Sequence, residues 1–364
     1  MCFAPGYLIM RASGTGDFLE LFLTGKEKGE TDHMGLKVSD LSKTYGNRTV
    51  VNHISFEMEK PGVYALLGTN GAGKTTTLRM MLNMLSRDSG EVLWEGKPLD
   101  TDTCNVGYLA EERGLYPKYP LMDQLIYFAG LKGVGKNDAK ERIRYWAKRL
   151  RVEEYLYPQY VNPLAGTPAG KKGWLQAGSG MKKIRPKLAD QLSKGNQQKI
   201  QFMIALLADP QLLILDEPMS GLDPVNTDLF RDIIREQIEA GKYLIMSSHQ
   251  MATVEEFCTD IMILDHANAV LQGNLNEIKK QRGRENLYLK TEQDISRYIR
   301  DAGVRLVSEK EFEYNLKVES EEQANRLLGA LIENGITVIR FDLKEPSLHE
   351  IFVEAVEGEE HENR

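Results

Sequence analysis

One glycine-rich run carries the residue types that bind phosphate. It comprises Gly68, Thr69, Asn70, Gly71, Ala72, Gly73, Lys74, Thr75 and Thr76. An apolar run at 63–67 predicts a buried strand before it, and residues 78–82 predict a helix after it, which is the setting that this spacing requires. Glycines let backbone N–H groups approach phosphate oxygens, Lys74 can reach terminal phosphates, and the Thr75 hydroxyl can ligate Mg²⁺. The run therefore predicts a nucleotide phosphate site, with a structural glycine-rich loop as the alternative.

Three further titratable side chains follow strand-like runs. Asp216 and Glu217 end the run at 212–215, and His249 ends the run at 242–248. Runs that are apolar on both faces fit buried parallel strands, and ligands of such sheets bind at the carboxyl ends of the strands. We therefore expect Asp216 to hold the Mg²⁺ shell and Glu217 to polarise an attacking water. His249 is expected to contact the γ-phosphate rather than to be structural.

Composition narrows the class of protein. With 364 residues, 41% of them hydrophobic and 27% charged, the chain fits a globular protein of about two domains. A net charge of −7 argues against a nonspecific nucleic-acid binder. The three cysteines show no metal-binding spacing, and no apolar run approaches the roughly 18–20 residues that span a bilayer. If the protein serves a membrane, another chain must cross it.

The first three quarters of the chain divide into an extension and one domain. Residues 1–33 show no sustained helix or strand period, so we expect a disordered or non-native extension, with translation starting at Met34 as the sharper interpretation. Residues 34–280 carry the strand and helix patterns of a single domain, with helical spacing at about 118–205. A Gly/Lys/Pro-rich insertion at 157–186 interrupts every regular pattern and is predicted to be either functional or disordered.

The remainder predicts a separate module. Residues 285–356 follow the order βαββαβ and then a helix, which indicates a small α+β, ferredoxin-like accessory domain. Within it, Ser320 and Gln323 predict a capping box at the start of a helix. The acidic residues 357–364 are expected to form a solvated tail.

Further motifs resemble those of ABC-type ATPases over residues 36–273. In chain order they are Tyr45, the phosphate loop, Glu111, the signature-like group Ser193, Lys194, Gly195 and Asn196, then Asp216 with Glu217, Asp223 and His249. The resemblance implies an α/β fold with a RecA-like parallel sheet core, an antiparallel β lobe and a helical subdomain. It also implies roles. Tyr45 would stack on adenine, Glu111 would replace a glutamine that touches Mg²⁺ and the membrane partner, the signature would bind ATP in trans, and Asp223 would belong to the D-loop.

A narrower resemblance is to the ATP-binding subunit of sodium-efflux (NatA-type) ABC exporters. Residues 108–116, the signature and the added C-terminal module carry it, although that branch usually has Pro where Ala110 stands and lacks the insertion. It implies two copies paired head to tail around ATP and Mg²⁺, which drive a separate membrane-spanning permease. The protein would then be cytoplasmic and peripheral on the inner face of the cell membrane, without a nucleic-acid partner. Export of a drug, antibiotic or lipid is the alternative, and a soluble, non-transport ABC ATPase is the rival class.

Overall fold

The computed structural model describes residues 35–101, 103–112, 114–161, 182–184 and 186–362. The predicted extension at 1–33, the predicted start at Met34 and the middle of the insertion lie outside the described residues.

The described chain contains both strands and helices, in runs of one to three of a kind. The strands are β1 (Leu36–Tyr45), β2 (Arg48–Met58), β3 (Gly62–Gly68), β4 (Ser89–Trp94), β5 (Lys97–Pro98), β6 (Val106–Leu109), β7 (Gln159–Val161), β8 (Lys182–Ile184), β9 (Leu212–Asp216), β10 (Tyr243–Ser248), β11 (Asp260–Asp265), β12 (Asn268–Asn274), β13 (Asn286–Thr291), β14 (Arg305–Lys310), β15 (Glu313–Lys317) and β16 (Val338–Lys344). The α-helices are α1 (Lys74–Met81), α2 (Leu121–Leu131), α3 (Lys136–Leu150), α4 (Glu153–Leu156), α5 (Lys194–Leu206), α6 (Pro224–Glu239), α7 (Met251–Val254), α8 (Leu275–Arg282), α9 (Ser296–Asp301), α10 (Glu321–Glu333) and α11 (Leu348–Glu362).

A six-stranded sheet forms the centre of the larger domain. Its order is β12-β11-β3-β10-β9-β6, and every neighbouring pair is parallel except β11 with β12. All residues of β3 and β9 are buried, because both faces of the sheet are covered. Parallel strands end at the same edge of a sheet, so the residues that follow β3, β9 and β10 come together.

The two faces of this sheet pack against different layers. Val63, Ala65 and Leu67 of β3 contribute to a core shared with the helices α2, α3, α5 and α6. Tyr64 and Leu66 point to the other face, where the core includes α1 and an antiparallel sheet of order β2-β1-β4-β5. The antiparallel sheet is thereby fixed beside the phosphate loop.

The helical subdomain consists of α2 to α5. Residues Leu121, Leu125, Ile143 and Phe202 are fully buried in its core. At the insertion, the structure differs from the expectation that no regular element forms, because β7 and β8 pair as an antiparallel ladder. The ends of the insertion therefore satisfy each other's backbone groups despite the surrounding prolines and glycines.

The C-terminal module has the predicted order β13-α9-β14-β15-α10-β16. Its antiparallel sheet runs β14-β15-β13-β16, which is the strand order of a ferredoxin-like fold, and it encloses a core of its own. The final helix α11 packs elsewhere, because its fully buried Leu348 and Ile351 join the core of the larger domain. The helix also continues to Glu362, past residue 357, where the sequence had predicted a tail.

Within the described ranges, none of the helices combines the length and the hydropathy needed to cross a membrane.

Candidate functional site

The phosphate loop turns sharply between β3 and α1. Gly73 precedes α1 with φ of 109°, and a Cβ atom there would lie 2.5 Å from the carbonyl oxygen of Val50, so only glycine fits. Lys74 is 6% exposed, and its Nζ donates to the carbonyl oxygens of Gly68 at 2.8 Å and Thr69 at 3.1 Å. The lysine side chain therefore crosses the phosphate loop and supports the conformation of the loop.

Asp216, the last residue of β9, lies against this loop. Its Oδ1 accepts hydrogen bonds from the Ser247 hydroxyl at 2.5 Å and the Thr75 hydroxyl at 3.2 Å. Its Oδ2 is buried and has no hydrogen-bond partner among the described residues. Burial raises the pKa of the Asp216 carboxyl above its ordinary value, while the two hydroxyl donors lower it by a smaller amount. A buried carboxylate with one unused oxygen is suited to an additional positive ligand.

Glu217 is held in an uncommon backbone conformation. Its φ is 49°, and its N–H donates to Ser247, to the hydroxyl at 3.0 Å and to the carbonyl oxygen at 3.2 Å. A non-glycine residue with positive φ costs free energy and is found preferentially at functional sites. The side chain is 6% exposed, with Oε1 3.7 Å from Lys74 Nζ and Oε2 2.9 Å from His249 Nδ1. The structure thus brings together the lysine, the glutamate and the histidine that the sequence singled out.

A cavity of about 420 Å³ opens at this edge of the sheet, within the roughly 300–1,000 Å³ usual for ligand pockets. It is lined by Arg48, Val50, Asn70, Gly71, Gly73, Lys74, Thr75, Thr76, Glu111 and Glu217. Glu111 is exposed and follows β6, so its carboxylate adds negative charge to the lining of the cavity. Tyr45 ends β1 and is 51% exposed, although it does not line the cavity.

Three residues of this site escaped the sequence reasoning. Arg48 and Val50 reach the cavity from the start of β2, and Ser247 bonds both Asp216 and Glu217. Ser247 could have been found, because it stands at the carboxyl end of a buried parallel strand, as Asp216 does. For Arg48, the sequence offers one signal only, which is its position three residues after Tyr45.

The signature-like residues lie outside the cavity. Ser193 caps α5, and its hydroxyl accepts the N–H of Asn196 at 3.3 Å. The Asn196 side chain donates to the Tyr155 hydroxyl at 3.0 Å. Lys194 and Gly195 form the first turn of α5, where backbone N–H groups favour anions. None of the described residues at this helix start lines the cavity beside the phosphate loop.

Asp223 caps the start of α6. Its Oδ1 accepts the Asn226 N–H at 2.9 Å and its Oδ2 accepts the Asn226 side-chain amide at 2.6 Å, which lowers the pKa of the Asp223 carboxyl. The segment that it ends, residues 218–222, runs back towards α5, where the Gln198 side chain donates to the Pro218 carbonyl oxygen at 3.4 Å.

Comparison with known proteins identifies the family. The ABC transporter family model matches residues 51–220, and a model described as "ATP-binding protein DrrA1-3-like, C-terminal domain" matches residues 273–356. The uncharacterized ABC transporter ATP-binding protein YhaQ of Bacillus subtilis (strain 168) is 37% identical over 322 residues, which are 88% of this chain and 98% of that protein. The chain belongs to the ABC transporter ATP-binding proteins. This ABC ATPase is therefore an ATP hydrolase whose family works with membrane permease components.

Two other similarities concern a curated relative and a solved structure. The linearmycin resistance ATP-binding protein LnrL of Bacillus subtilis (strain 168) is 27% identical over 330 residues, 87% of this chain and 97% of that protein. A solved structure described as the ATP-binding subunit of an ABC transporter superposes with a TM-score of 0.56 and 26% identity, over 69% of this chain and 94% of that chain. The predicted P-loop ABC ATPase fold is confirmed.

Proposed function

We propose that this ABC ATPase hydrolyses ATP in the cavity beside the phosphate loop and thereby energises a separate permease that exports a cargo. The observation that carries the proposal is the meeting of Lys74, Asp216, Glu217 and His249 at the carboxyl ends of three parallel strands. Such a group can hold a triphosphate, neutralise it and activate a water.

The residues present also fit a magnesium ion. Asp216 offers a buried carboxylate oxygen without a partner, and the Thr75 hydroxyl lies on its other oxygen. Mg²⁺ prefers hard oxygen ligands and usually takes one or two protein ligands together with substrate phosphates. In the described part of the chain, no cluster of three or more His, Cys, Asp and Glu side chains could hold a metal alone, which fits an ion that arrives with ATP. When bound, Mg²⁺ would supply neutralisation of phosphate charge.

The protein's own groups then act on the substrate. Lys74 can exchange its hydrogen bonds to the loop carbonyls for bonds to phosphate oxygens. Glu217 accepts a proton from water, whose oxygen attacks the γ-phosphorus while the bond to the β–γ bridging oxygen breaks, giving ADP and phosphate. His249 holds Oε2 of Glu217, which leaves Oε1 on the Lys74 side of the cavity. We assign the general base to Glu217 and its orientation to His249.

A second copy would complete the site. The Ser193 end of α5 is a helix start whose backbone N–H groups favour anions, and none of its described residues lines the cavity of the same chain. A head-to-tail pair would place this end of one copy over the phosphate loop of its partner, as the resemblance to the family implies. Asp223 would lie at the same interface, because the segment directly before it packs beside the start of α5, where a Cβ atom at Gly195 would lie 3.6 Å from the Leu222 side chain.

An apolar cleft supports contact with the permease. A cavity of about 420 Å³ lies between β6, α2 and α5 and includes Leu82, Met84, Tyr108, Phe128 and Leu131. Met84 and Leu131 are each 63% exposed. Exposed apolar side chains grouped at one cleft are typical of a protein-binding site. The cleft also includes Ala110, directly before Glu111, so one loop touches both the permease site and the nucleotide cavity.

Two variants test this arrangement. Leu131→Asp should release the proposed permease, a multi-span membrane protein, from co-purification while leaving hydrolysis by the isolated ATPase intact. Ile332→Asp, which is equally exposed at 62% but lies on the C-terminal module, is the matched control. Glu111→Ala should keep basal hydrolysis and weaken its stimulation by that membrane protein. Equal co-purification of the two Asp variants would contradict the cleft as the permease site.

The cargo is proposed from similarity. Residues 108–116 and the signature favour sodium, as in the NatA-type exporters that they resemble. The similarity to LnrL and to the DrrA1-3-like C-terminal domain favours a drug or antibiotic as the second candidate. A strain that lacks the ATPase gene should lose growth at high NaCl in the first case and in linearmycin in the second. Complementation by Glu217→Gln serves as the inactive control, and full tolerance of both agents in the deletion strain would reject both cargoes.

A further inference from the structure

The ring of Tyr45 has a fixed cation on one face. Lys43 Nζ lies 5.4 Å from the ring centroid, within the roughly 6 Å over which a cation is attracted to an aromatic face. Lys43 is only 8% exposed, whereas Tyr45 is 51% exposed. The cation and its stem therefore cover part of the ring from the protein side, and the rest of the ring stays open to solvent.

A clamp from the segment after α1 holds Lys43. Its Nζ donates to Asp88 Oδ1 at 2.8 Å and to the Ser86 hydroxyl at 3.4 Å. The other Asp88 oxygen accepts the Thr44 N–H at 2.7 Å, and the Asp88 N–H donates to the Ser42 carbonyl oxygen at 2.9 Å. Asp88 is thus bonded to residues on both sides of Lys43. The hydrogen bond from Lys43 lowers the pKa of the Asp88 carboxyl, so the clamp stays ionised to a lower pH than an ordinary aspartate would.

We propose that Lys43, anchored by Asp88, positions the Tyr45 ring and prepares its open face for the purine base of the nucleotide. The inference rests on the proposed ATP hydrolysis and on the stacking of Tyr45 on adenine, which the resemblance to ABC-type ATPases implies. A cation on one face of a ring draws electron density towards itself, so the opposite face is less negative and repels the π cloud of a stacked base less. Lys43 touches neither base nor phosphate and is a positioning residue.

A purely structural clamp would behave differently. It would tie β1 to the segment after α1, so its loss would lower the melting temperature whether or not Tyr45 is present. It would also disturb phosphate binding as much as base binding, because α1 carries the phosphate loop at its other end. The positioning role acts only through the ring and only on ligands that contain a base.

The experiment compares ATP with inorganic tripolyphosphate, which has the phosphates without the base. Lys43→Met removes the charge and keeps an apolar stem of similar length, Lys43→Arg keeps the charge, and Lys37→Met on the same strand is the control. Lys37 pairs with Glu57 at 3.8 Å. We expect Lys43→Met to raise KM for ATP by up to about 2- to 5-fold, the ratio that corresponds to the whole of a cation–π contact at an exposed site, with kcat and tripolyphosphate affinity unchanged. Lys43→Arg and Lys37→Met should match the wild type.

The Tyr45→Ala background separates the possible failures. There, Lys43→Met should add nothing to KM. The same increase in KM on both backgrounds, or an equal loss of tripolyphosphate binding, would overturn the inference in favour of a structural clamp. A wild-type KM in Lys43→Met together with a raised KM in Tyr45→Ala would overturn the role of Lys43 and leave the stacking of Tyr45 on adenine in place. A wild-type KM in Tyr45→Ala would overturn the stacking of Tyr45 on adenine and, with it, the inference about Lys43. The proposal that ATP is hydrolysed at the phosphate loop would be unaffected.

Discussion

The substitution Ser247→Ala tests whether Asp216 must be ionised for turnover. The Ser247 hydroxyl donates to Asp216 Oδ1 at 2.5 Å and accepts the Glu217 N–H at 3.0 Å. In Ser247→Ala, Asp216 would keep one hydrogen bond among the described residues, the longer one of 3.2 Å from Thr75. Glu217 would keep its N–H bond to the carbonyl oxygen of residue 247 at 3.2 Å. The substitution therefore acts mainly on Asp216.

The size of the effect on Mg²⁺ binding depends on the hydrogen bond that Ser247 donates to Asp216. A hydrogen bond to a charged group contributes about 1.5–3 kcal/mol, or roughly 10- to 150-fold in an equilibrium constant. Burial already raises the pKa of Asp216, and loss of a donor raises it further. Since the ionised carboxylate is the form that would bind Mg²⁺, we expect Ser247→Ala to need about 10- to 100-fold more Mg²⁺ for half-maximal hydrolysis at neutral pH. The deficit should shrink as the pH rises, because deprotonation of Asp216 then becomes easier.

The assay is ATP hydrolysis against Mg²⁺ concentration at several pH values. The control is Thr291→Val, which removes a buried hydroxyl that donates to the Gln293 carbonyl oxygen at 2.7 Å in the C-terminal module. Both variants lose one buried hydrogen bond, but only Ser247 touches the site. If the two variants require the same Mg²⁺ concentration, or if the Ser247→Ala deficit does not depend on pH, the role assigned to Asp216 is refuted.

Three further outcomes are expected. Glu217→Gln should still bind ATP and lose about 10²- to 10⁴-fold in hydrolysis rate, measured as phosphate release, whereas near-normal turnover would exclude Glu217 as the general base. Ser193→Arg mixed with Lys74→Ala should recover activity through heterodimers that contain one intact composite site, and failure to recover at every mixing ratio would contradict head-to-tail pairing. Asp216→Asn should raise the melting temperature measured in EDTA at neutral pH. The raised pKa of Asp216 means that wild-type stability is lost as pH rises through that pKa, and the neutral side chain avoids this loss. An unchanged or lower melting temperature would argue that the buried charge is not costly.

Much of the domain was predictable because its signals are local. The apolar runs of β3, β9 and β10 are typical of buried strands, and parallel strands bring the residues at their carboxyl ends to one edge of a sheet. These two regularities are enough to predict that Asp216, Glu217 and His249 lie close together.

Contacts between distant segments were not predictable. The sequence indicated that His249 faces phosphate, but nothing local specified that its Nδ1 also lies 2.9 Å from Glu217, nor that Glu217 has a φ of 49°. Such a conformation is imposed by surroundings and not by the residue's own preference. The role of His249 towards phosphate stays a prediction.

The capping box shows the same limit on a small scale. Ser320 caps α10 as expected, by accepting the N–H of Gln323 at 3.3 Å. The Gln323 side chain, however, accepts the N–H of Glu319 and donates to the carbonyl oxygens of Ala302 and Gly303. A capping box needs the side-chain oxygen of Gln323 on the Ser320 N–H, whereas here that oxygen accepts the N–H of Glu319 and the NH₂ group bonds carbonyl oxygens at the end of α9.

The packing of α11 has a consequence for how the chain is made. Leu348 and Ile351 complete a core that also contains Met251 and Leu275, and the Leu348 N–H donates to Glu255 at 3.1 Å. Between the end of β12 and α11, a ribosome adding about 5–20 residues per second needs roughly 4–15 s. During that interval the nascent ATPase domain has all of its strands but an open apolar groove beside α7. Docking of α11 is therefore a late step in folding. A chain that stalls before residue 348 should be bound by chaperones, although every residue of the nucleotide site has already been synthesised.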